Sequence, residues 1–314
     1  MATTDNKMIA MLCACAAVGL AASGDAIAKS MSGTYPVHEA LIIRCIVSAP
    51  IIYLIGRRQT PRLDMLPRGS GLSFLRGAIL CTAYMAFILS IAAMPMANVV
   101  AIYFVMPLVV AAGACVVLAE RVGLNRWIAV IVGFAGVTIM LKPDTDSVFE
   151  PAAFLALFSA IAYAFGQMLG RRVARLVDPV VMAFQANLVY LAAAAVLAIF
   201  FNMFDFSFVQ HKSLLFLVRP WTIPTVLDFV LMSFLGALAA GAMVLFGTAY
   251  KAAESSFVAP FEYTAMFWAT LYGYVIFGDE LGLRTIAGGG IVIAAGLFMI
   301  WSDRYFVRKA TAGI

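Results

Sequence analysis

Ten stretches of this chain run apolar for about 17 to 24 residues each, starting near Met8, His38, Gly71, Met96, Asn125, Pro151, Pro179, Val226, Ser256 and Arg284. Roughly 20 residues of helix cross a ~30 Å hydrocarbon core. Inside that core every backbone N–H and C=O must be bonded within the structure, so a run of this length is expected to be helical. Composition agrees, with 64% hydrophobic and 12% charged residues against the apolar half and charged quarter of a soluble domain. The sequence predicts an all-α integral membrane protein with ten transmembrane helices. A cleavable signal peptide is the weaker reading of the first run, because that segment has a counterpart halfway along the chain.

The net charge of +5 gives no nucleic-acid signal, because the cations sort by membrane side. With the N-terminus inside, the cytoplasmic side collects Lys7, Arg57, Arg58, Arg62, Arg68, Arg121, Arg126, Arg171, Arg172, Arg175, Lys251, Arg304, Arg308 and Lys309. The other side holds Lys29, Lys142, Lys212, Arg219 and Arg284. Both termini are therefore expected in the cytoplasm, with 55–71 as a basic inner linker. The segment 201–225 is external, its Phe204, Phe206, Phe208, Phe216 and Trp221 suited to the headgroup layer or to a substrate lid. The cysteines Cys13, Cys15, Cys45, Cys81 and Cys115 all fall in expected spans, with no metal or disulfide spacing.

Internal repetition organises the rest. Moved by 160 positions, 92–140 falls on 252–300, bringing Ala92, Tyr103, Met106, Gly113, Glu120 and Gly136 onto Ala252, Tyr263, Met266, Gly273, Glu280 and Gly296. A shift of 143 matches Lys29 with Arg172 and Pro36 with Pro179. The expected organisation is two five-helix repeats, residues 1–145 and 146–314, in one transmembrane domain. An odd helix number makes the second copy insert upside down, an inverted repeat that in transporters puts the substrate site at the interface of the halves.

Several polar residues within spans are candidates for that site. An ionised acid facing lipid costs at least ~2.5–3.5 kcal/mol on insertion scales, so Glu262 is expected to face a polar cavity. It binds substrate or a proton there, or pairs with an inward-facing arginine. Pro260 frees a helix carbonyl beside it, and Pro107 offers a break in the mirrored helix. Tyr263, Trp268 and Tyr103 supply aromatic faces suited to a flat or cationic group, and Tyr84 and Tyr163 are further cavity candidates. Asp25 and Lys29 share a helix face and with Arg44 form either a structural ion network or a binding and gating group. Arg76, Asn98, Gln167, Gln185 and Asn187 are expected to bond between helices, with Asn98 and Gln167 also candidates to bind substrate and Arg76 a candidate member of the gating or ion network. Gln185 and Asn187 point about 200° apart, so at most one lines a cavity. Glu120 and Glu280 close their helices near the interface. Gly288, Gly289 and Gly290 form no phosphate loop and are expected to allow close helix packing. Gly236, Gly241 and Gly247 suit packing within the chain or in a homodimer.

Lys29, Pro36 and Arg44, "FLRGAIL" (74–80), "AMPMANVVAIYFVMPLVVAAGACVVLAERV" (93–122) and "AAESSFVAPFEYTAMFWATLYGYVIFGDEL" (252–281) together resemble the drug/metabolite transporter superfamily in its ten-helix EamA-type branch. Within it, "SGDAIAKSMSG" and "VAPFEYTAMFWATLYGYVIFGD" look most like the bacterial S-adenosylmethionine and riboflavin uptake carriers. The resemblance implies uptake or exchange of a small organic solute across the inner membrane, without a cofactor. Export of amino acids or toxic metabolites is the alternative, and protons are a candidate coupling partner through Glu262. An intramembrane enzyme is the distant reading, since His38 lies near a helix end and His211 in the external loop, with no convergent catalytic set.

Overall fold

The computed structural model describes residues 6–59, 64–94, 96–103, 106, 109, 113, 123–140, 151–204, 206, 212–258, 261–262, 264–278, 287, 288, 290, 291, 294, 295 and 298. They form α1 Lys7–Met31, α2 Val37–Gln59, α3 Ser70–Ala93, α4 Met96–Tyr103, α5 Leu124–Met140, α6 Pro151–Val173, α7 Pro179–Met203, α8 Lys212–Val218, α9 Val226–Ala252, α10 Ser255–Val258 and α11 Thr264–Phe277. Among the described residues, six helices (α1, α2, α3, α6, α7 and α9) are long and apolar enough to cross a membrane. They coincide with six of the expected spans. The spans expected near Met96, Asn125, Ser256 and Arg284 are represented by α4, by α5, by α10 with α11 and by separate helical residues up to 298, and lie partly outside the described residues.

Helix starts follow local chemistry. Asn6 accepts from the N–H of Ile9 at 3.2 Å, Asp178 from Val180 at 3.0 Å ahead of a proline at the start of α7, and Thr225 from Asp228 at 3.2 Å. Each cap occupies a donor that the first turn leaves without a helical partner.

Small side chains set the packing. Ala10, Ala14, Ala17, Ala22 and Ala26 make a buried stripe on α1, and Ala152, Ala153, Ala156, Ala160 and Ala164 make one on α6. Large apolar residues such as Leu12, Ile46, Phe154, Phe158, Val196 and Ile199 point outward, as lipid contact requires. Without a hydrophobic drive between helices in lipid, close backbone approach and interhelical hydrogen bonds hold such a bundle together. Both occur here. Ser159 Oγ donates to Ala83 O at 2.6 Å and Ser90 Oγ to Ala152 O at 2.9 Å, joining α6 to α3. Asn187 Nδ2 donates to Cys45 O at 3.0 Å and Ser48 Oγ to Asn187 Oδ1 at 2.6 Å, joining α7 to α2.

The contacts fix helix directions. Asn6 N bonds Ala252 O, and Gly24 faces Leu235, so α1 and α9 are antiparallel. The α3–α6 pair is antiparallel as well, with 90 against 152 and 83 against 159. Helix α1 packs on α9 as α6 packs on α3, and α2 on α9 as α7 on α3. Helix α11 lies on α1 as α4 lies on α6, while α2 meets α7 and α4 meets α11. A Cβ on Gly236 would lie 2.6 Å from Arg44 O, and one on Gly77 3.0 Å from the Cα of Ala186, so both α2–α9 and α3–α7 cross at glycine. Gly241 faces Leu20 and Gly247 faces Pro179. These glycines are used within the chain.

One expectation is corrected. Phe216, assigned to the headgroup layer, is only 2% exposed, because α8 folds onto α3 and buries it with Phe87, Ile88 and Val99. Phe204, at 55%, and Trp221, at 40%, are exposed, and Phe208 lies outside the described residues. The chain from the end of α8 into α9 is tied to the α1–α2 turn and to α2. Arg219 donates to Ser32 O at 3.2 Å, Thr222 N to Glu39 Oε2 at 3.1 Å, and Tyr35 Oη to Asp228 Oδ2 at 2.7 Å.

Candidate functional site

Helices α1, α2, α3, α4, α6, α7 and α9 and the α10–α11 junction converge on a cavity of ≈ 210 Å³. Glu262 reaches it from a tight turn: α10 stops at Val258, Phe261 and Glu262 follow in a 3₁₀ turn, and α11 starts at Thr264, whose hydroxyl donates to Phe261 O at 2.7 Å. The interruption in the helix brings the carboxylate inward, where it is 5% exposed. Tyr250 Oη donates to Glu262 Oε1 from the end of α9, and Tyr163 is a second hydrogen-bonding neighbour. Tyrosine, not arginine, therefore partners this acid.

The polar contacts continue into α6 and α3. Gln167 Nε2 donates to Tyr163 Oη, and Arg76 donates to Gln167 Oε1 at 3.3 Å and to Gly166 O at 3.2 Å. Gly170 makes room for this arginine, since a Cβ there would sit 2.7 Å from Arg76 Nε. A continuous polar chain thus runs from Arg76 through Gln167 and Tyr163 to Glu262 and Tyr250. In a low-dielectric interior such a chain fixes side-chain geometry, because breaking one link strands the rest.

The second charged group faces the same cavity. Arg44 is 6% exposed, and its guanidinium lies over the rings of Tyr84 at 4.5 Å and Tyr190 at 5.3 Å. Asp25 also lines the cavity and is electrostatically coupled to Arg44. The remaining wall is aromatic. Tyr103 packs against Phe87 at 5.1 Å and Tyr163 at 5.6 Å, and Tyr163 against Phe246 at 6.4 Å. Among the described residues no cluster of His, Cys, Asp and Glu is arranged to hold a metal ion.

Of the residues singled out from the sequence, Asp25, Arg44, Arg76, Tyr84, Tyr103, Tyr163, Gln167 and Glu262 line this one cavity. Two fall elsewhere. Trp268 stacks on Tyr272 at 6.0 Å and presses on Gly19, wedging α11 against α1. Lys29 reaches Met94 O at 3.5 Å and lies 5.2 Å from the Phe277 ring. Pro107, Pro260, Tyr263, Glu120, Glu280 and the side chain of Asn98 lie outside the described residues. Gln185 bonds Met65 O and Ser70 Oγ, at 2.8 and 2.9 Å, and like Asn187 is absent from the cavity wall. Sequence reasoning missed Tyr190, Tyr250 and Phe246, which resemble ordinary core on apolar helices.

Comparison with known proteins bears on what this cavity serves. Residues 8–142 match the EamA-like transporter family. An S-adenosylmethionine uptake transporter of Rickettsia bellii is 24% identical over 75% of this chain and 74% of its own length. A riboflavin transporter of Vibrio cholerae is 26% identical over 85% and 83% of the two chains. A pseudopaline exporter of Pseudomonas aeruginosa is 22% identical over 86% and 88%. A solved crystal structure aligns with a TM-score of 0.72 at 16% identity, covering 95% of this chain and 98% of that one, which is a likeness of fold.

Proposed function

We propose that this multi-pass membrane protein, whose residues 8–142 match the EamA-like transporter family, takes up a small organic metabolite by alternating access. The cavity between helices drawn from both ends of the sequence carries the reading. It gathers buried charge and tyrosine rings where a lipid-soluble bundle would otherwise place only apolar side chains. The chemistry it offers is that of binding: aromatic faces for a flat or cationic moiety, and charged side chains for polar substituents.

Two inverted five-helix halves, 1–145 and 146–314, supply the mechanism. The exchange-symmetric packing supports it, with α1 on α9 repeated as α6 on α3 and α2 on α9 repeated as α7 on α3. So does the antiparallel course of α3 and α6, the third helix of one half and the first of the other. Rocking of the halves about the cavity would open it to each side in turn. The distribution of Lys and Arg supports both termini in the cytoplasm, and the bacterial relatives support an inner-membrane location.

An S-adenosylmethionine- or riboflavin-like compound is the substrate class that the names of the relatives favour. Export is the second reading, favoured by the pseudopaline exporter among them. The purified protein in liposomes, offered labelled S-adenosylmethionine, riboflavin and aromatic or basic amino acids, is expected to accumulate at least one. No accumulation or efflux of any of them would refute the reading. Coupling to protons would act through Glu262, and a pH step that leaves uptake unchanged rules it out.

A further inference from the structure

We propose that Arg44 is the recognition point for a carboxylate on the transported solute, with Asp25 taking an adjacent protonated amine, so that the solute carries an amino-acid-type zwitterionic head. The inference rests on the transport reading above and names the chemistry of its substrate.

Four charged side chains line the cavity among the described residues: Asp25, Arg44, Arg76 and Glu262. Two are already engaged by the protein. Arg76 spends donors on Gly166 O and Gln167 Oε1, and Glu262 accepts from Tyr250 and has Tyr163 beside it. The other two are differently placed. Arg44 Nε and Nη1 are buried and have no hydrogen-bond partner. No hydrogen bond or ion pair within 4.0 Å joins the guanidinium to Asp25, although both face the same space. The rings of Tyr84 and Tyr190 lie against the positive charge and Tyr84 is a hydrogen-bonding neighbour of the guanidinium, while Nε and Nη1 remain without a partner.

A buried guanidinium with empty donors is costly, and leaving it so is worthwhile only if something else fills them. A planar oxyanion matches one edge of a guanidinium, Nε with Nη2 or Nη1 with Nη2, so a carboxylate would fill one of the two open donors of Arg44 together with Nη2. The arginine is also rigidly based. Its own carbonyl oxygen lies 2.6 Å from where a Cβ on Gly236 would be, so α9 packs closely on α2 at this level. Charge balance points the same way. The cavity wall carries two basic and two acidic side chains, one of each at the Arg44–Asp25 end, a complement to a solute with one group of each kind. Its body would then extend past Tyr103, Tyr163 and Phe246 towards Glu262.

Matched pairs of compounds test this on the wild-type protein in nanodiscs, by competition binding. The probes are S-adenosylmethionine against its decarboxylated form, phenylalanine against phenethylamine, and riboflavin, which has no carboxylate. A carboxylated member is expected to bind about 10- to 100-fold tighter than its partner, the value of a charge-assisted pair. Arg44→Lys, which keeps the charge and loses the fork, is expected to shrink that preference to about threefold or less. Asp25→Asn is expected to weaken phenylalanine while sparing any binding of compounds without an amine. Equal binding within the pairs, or an unchanged preference in Arg44→Lys, would overturn the proposal. Binding and transport of riboflavin or the decarboxylated probes alone would remove this inference and leave the transport reading standing. Silence across the whole panel would overturn both. The wild-type comparison needs no variant to fold.

Discussion

Replacing Gly170 by alanine offers a quantitative test of the polar chain beneath Glu262. A Cβ at this position would stand 2.7 Å from Arg76 Nε and 3.4 Å from its Cζ and Nη2, where ordinary contact begins at 3.4 Å. The guanidinium must therefore retreat by about 0.7 Å, the amount by which that contact falls short of van der Waals spacing. Its bonds have no slack to absorb this: Nε to Gly166 O is 3.2 Å and Nη2 to Gln167 Oε1 is 3.3 Å, both near the limit of a hydrogen bond. Losing one charge-assisted bond from a buried arginine costs about 1.5–3 kcal/mol, and the glycine-to-alanine gain in helix propensity returns about 1 kcal/mol at most. A net loss of about 0.5–2 kcal/mol is expected in denaturant unfolding of the detergent-purified protein. In an Arg76→Met background the same substitution should be neutral or stabilising, giving a coupling of at least about 1 kcal/mol in the double-mutant cycle. An equal loss with and without Arg76, or no loss in the wild type, would refute the arrangement.

Further expectations follow from other contacts. Glu262→Gln should keep the protein folded and cut uptake at least about tenfold, whereas Tyr250→Phe should produce a smaller loss, since Tyr163 stays beside the acid; flux in liposomes reads both. Asn187→Leu removes the bonds to Ser48 and Cys45 and should lower stability by about 0.6–1.7 kcal/mol without changing substrate affinity, because Asn187 is outside the cavity wall. Gly136→Val should cost about 1–3 kcal/mol by overpacking, as even a Cβ there would meet Gly288 O at 2.9 Å. Thermal or denaturant unfolding at unchanged monodispersity checks both.

The sequence disclosed the lipid-spanning character and much of the cavity because both follow from one cost. Charge and amide groups are expensive in hydrocarbon, so Asp25, Arg44, Arg76, Gln167 and Glu262 could be assigned to an interior by their presence in apolar runs alone. Tyr190 and Tyr250 were not legible in this way. A tyrosine on an apolar helix is equally at home in a core, and only the fold shows that one ring supports Arg44 and the other hydroxyl meets Glu262. The partner of Glu262 was likewise hidden, since an arginine and a tyrosine both satisfy an acid and neither has a sequence spacing that selects it. Trp268 was misplaced for a related reason: its neighbour Glu262 sits before α11 begins, and the tryptophan two turns on faces Gly19 of α1. Phe216 resembled an interfacial anchor by its surroundings in an aromatic loop, but α8 turns it onto α3. The close approaches at Gly77, Gly136, Gly166 and Gly170 had no partner residues in the sequence to announce them. By contrast, the suggestion of close packing around Gly288 meets its counterpart in Gly136.

Accessibility of the cavity from both sides of the membrane gives the most direct measurement. Ala242, on the α9 wall, is replaced by cysteine in a chain whose native cysteines are alanine, and membrane-impermeant thiol reagents are applied to right-side-out and inside-out vesicles. Labelling from both faces, slowed at each by a transported solute, is expected if the cavity opens alternately. Labelling only by lipid-soluble reagents, or from both faces with no effect of any transported solute, would contradict it.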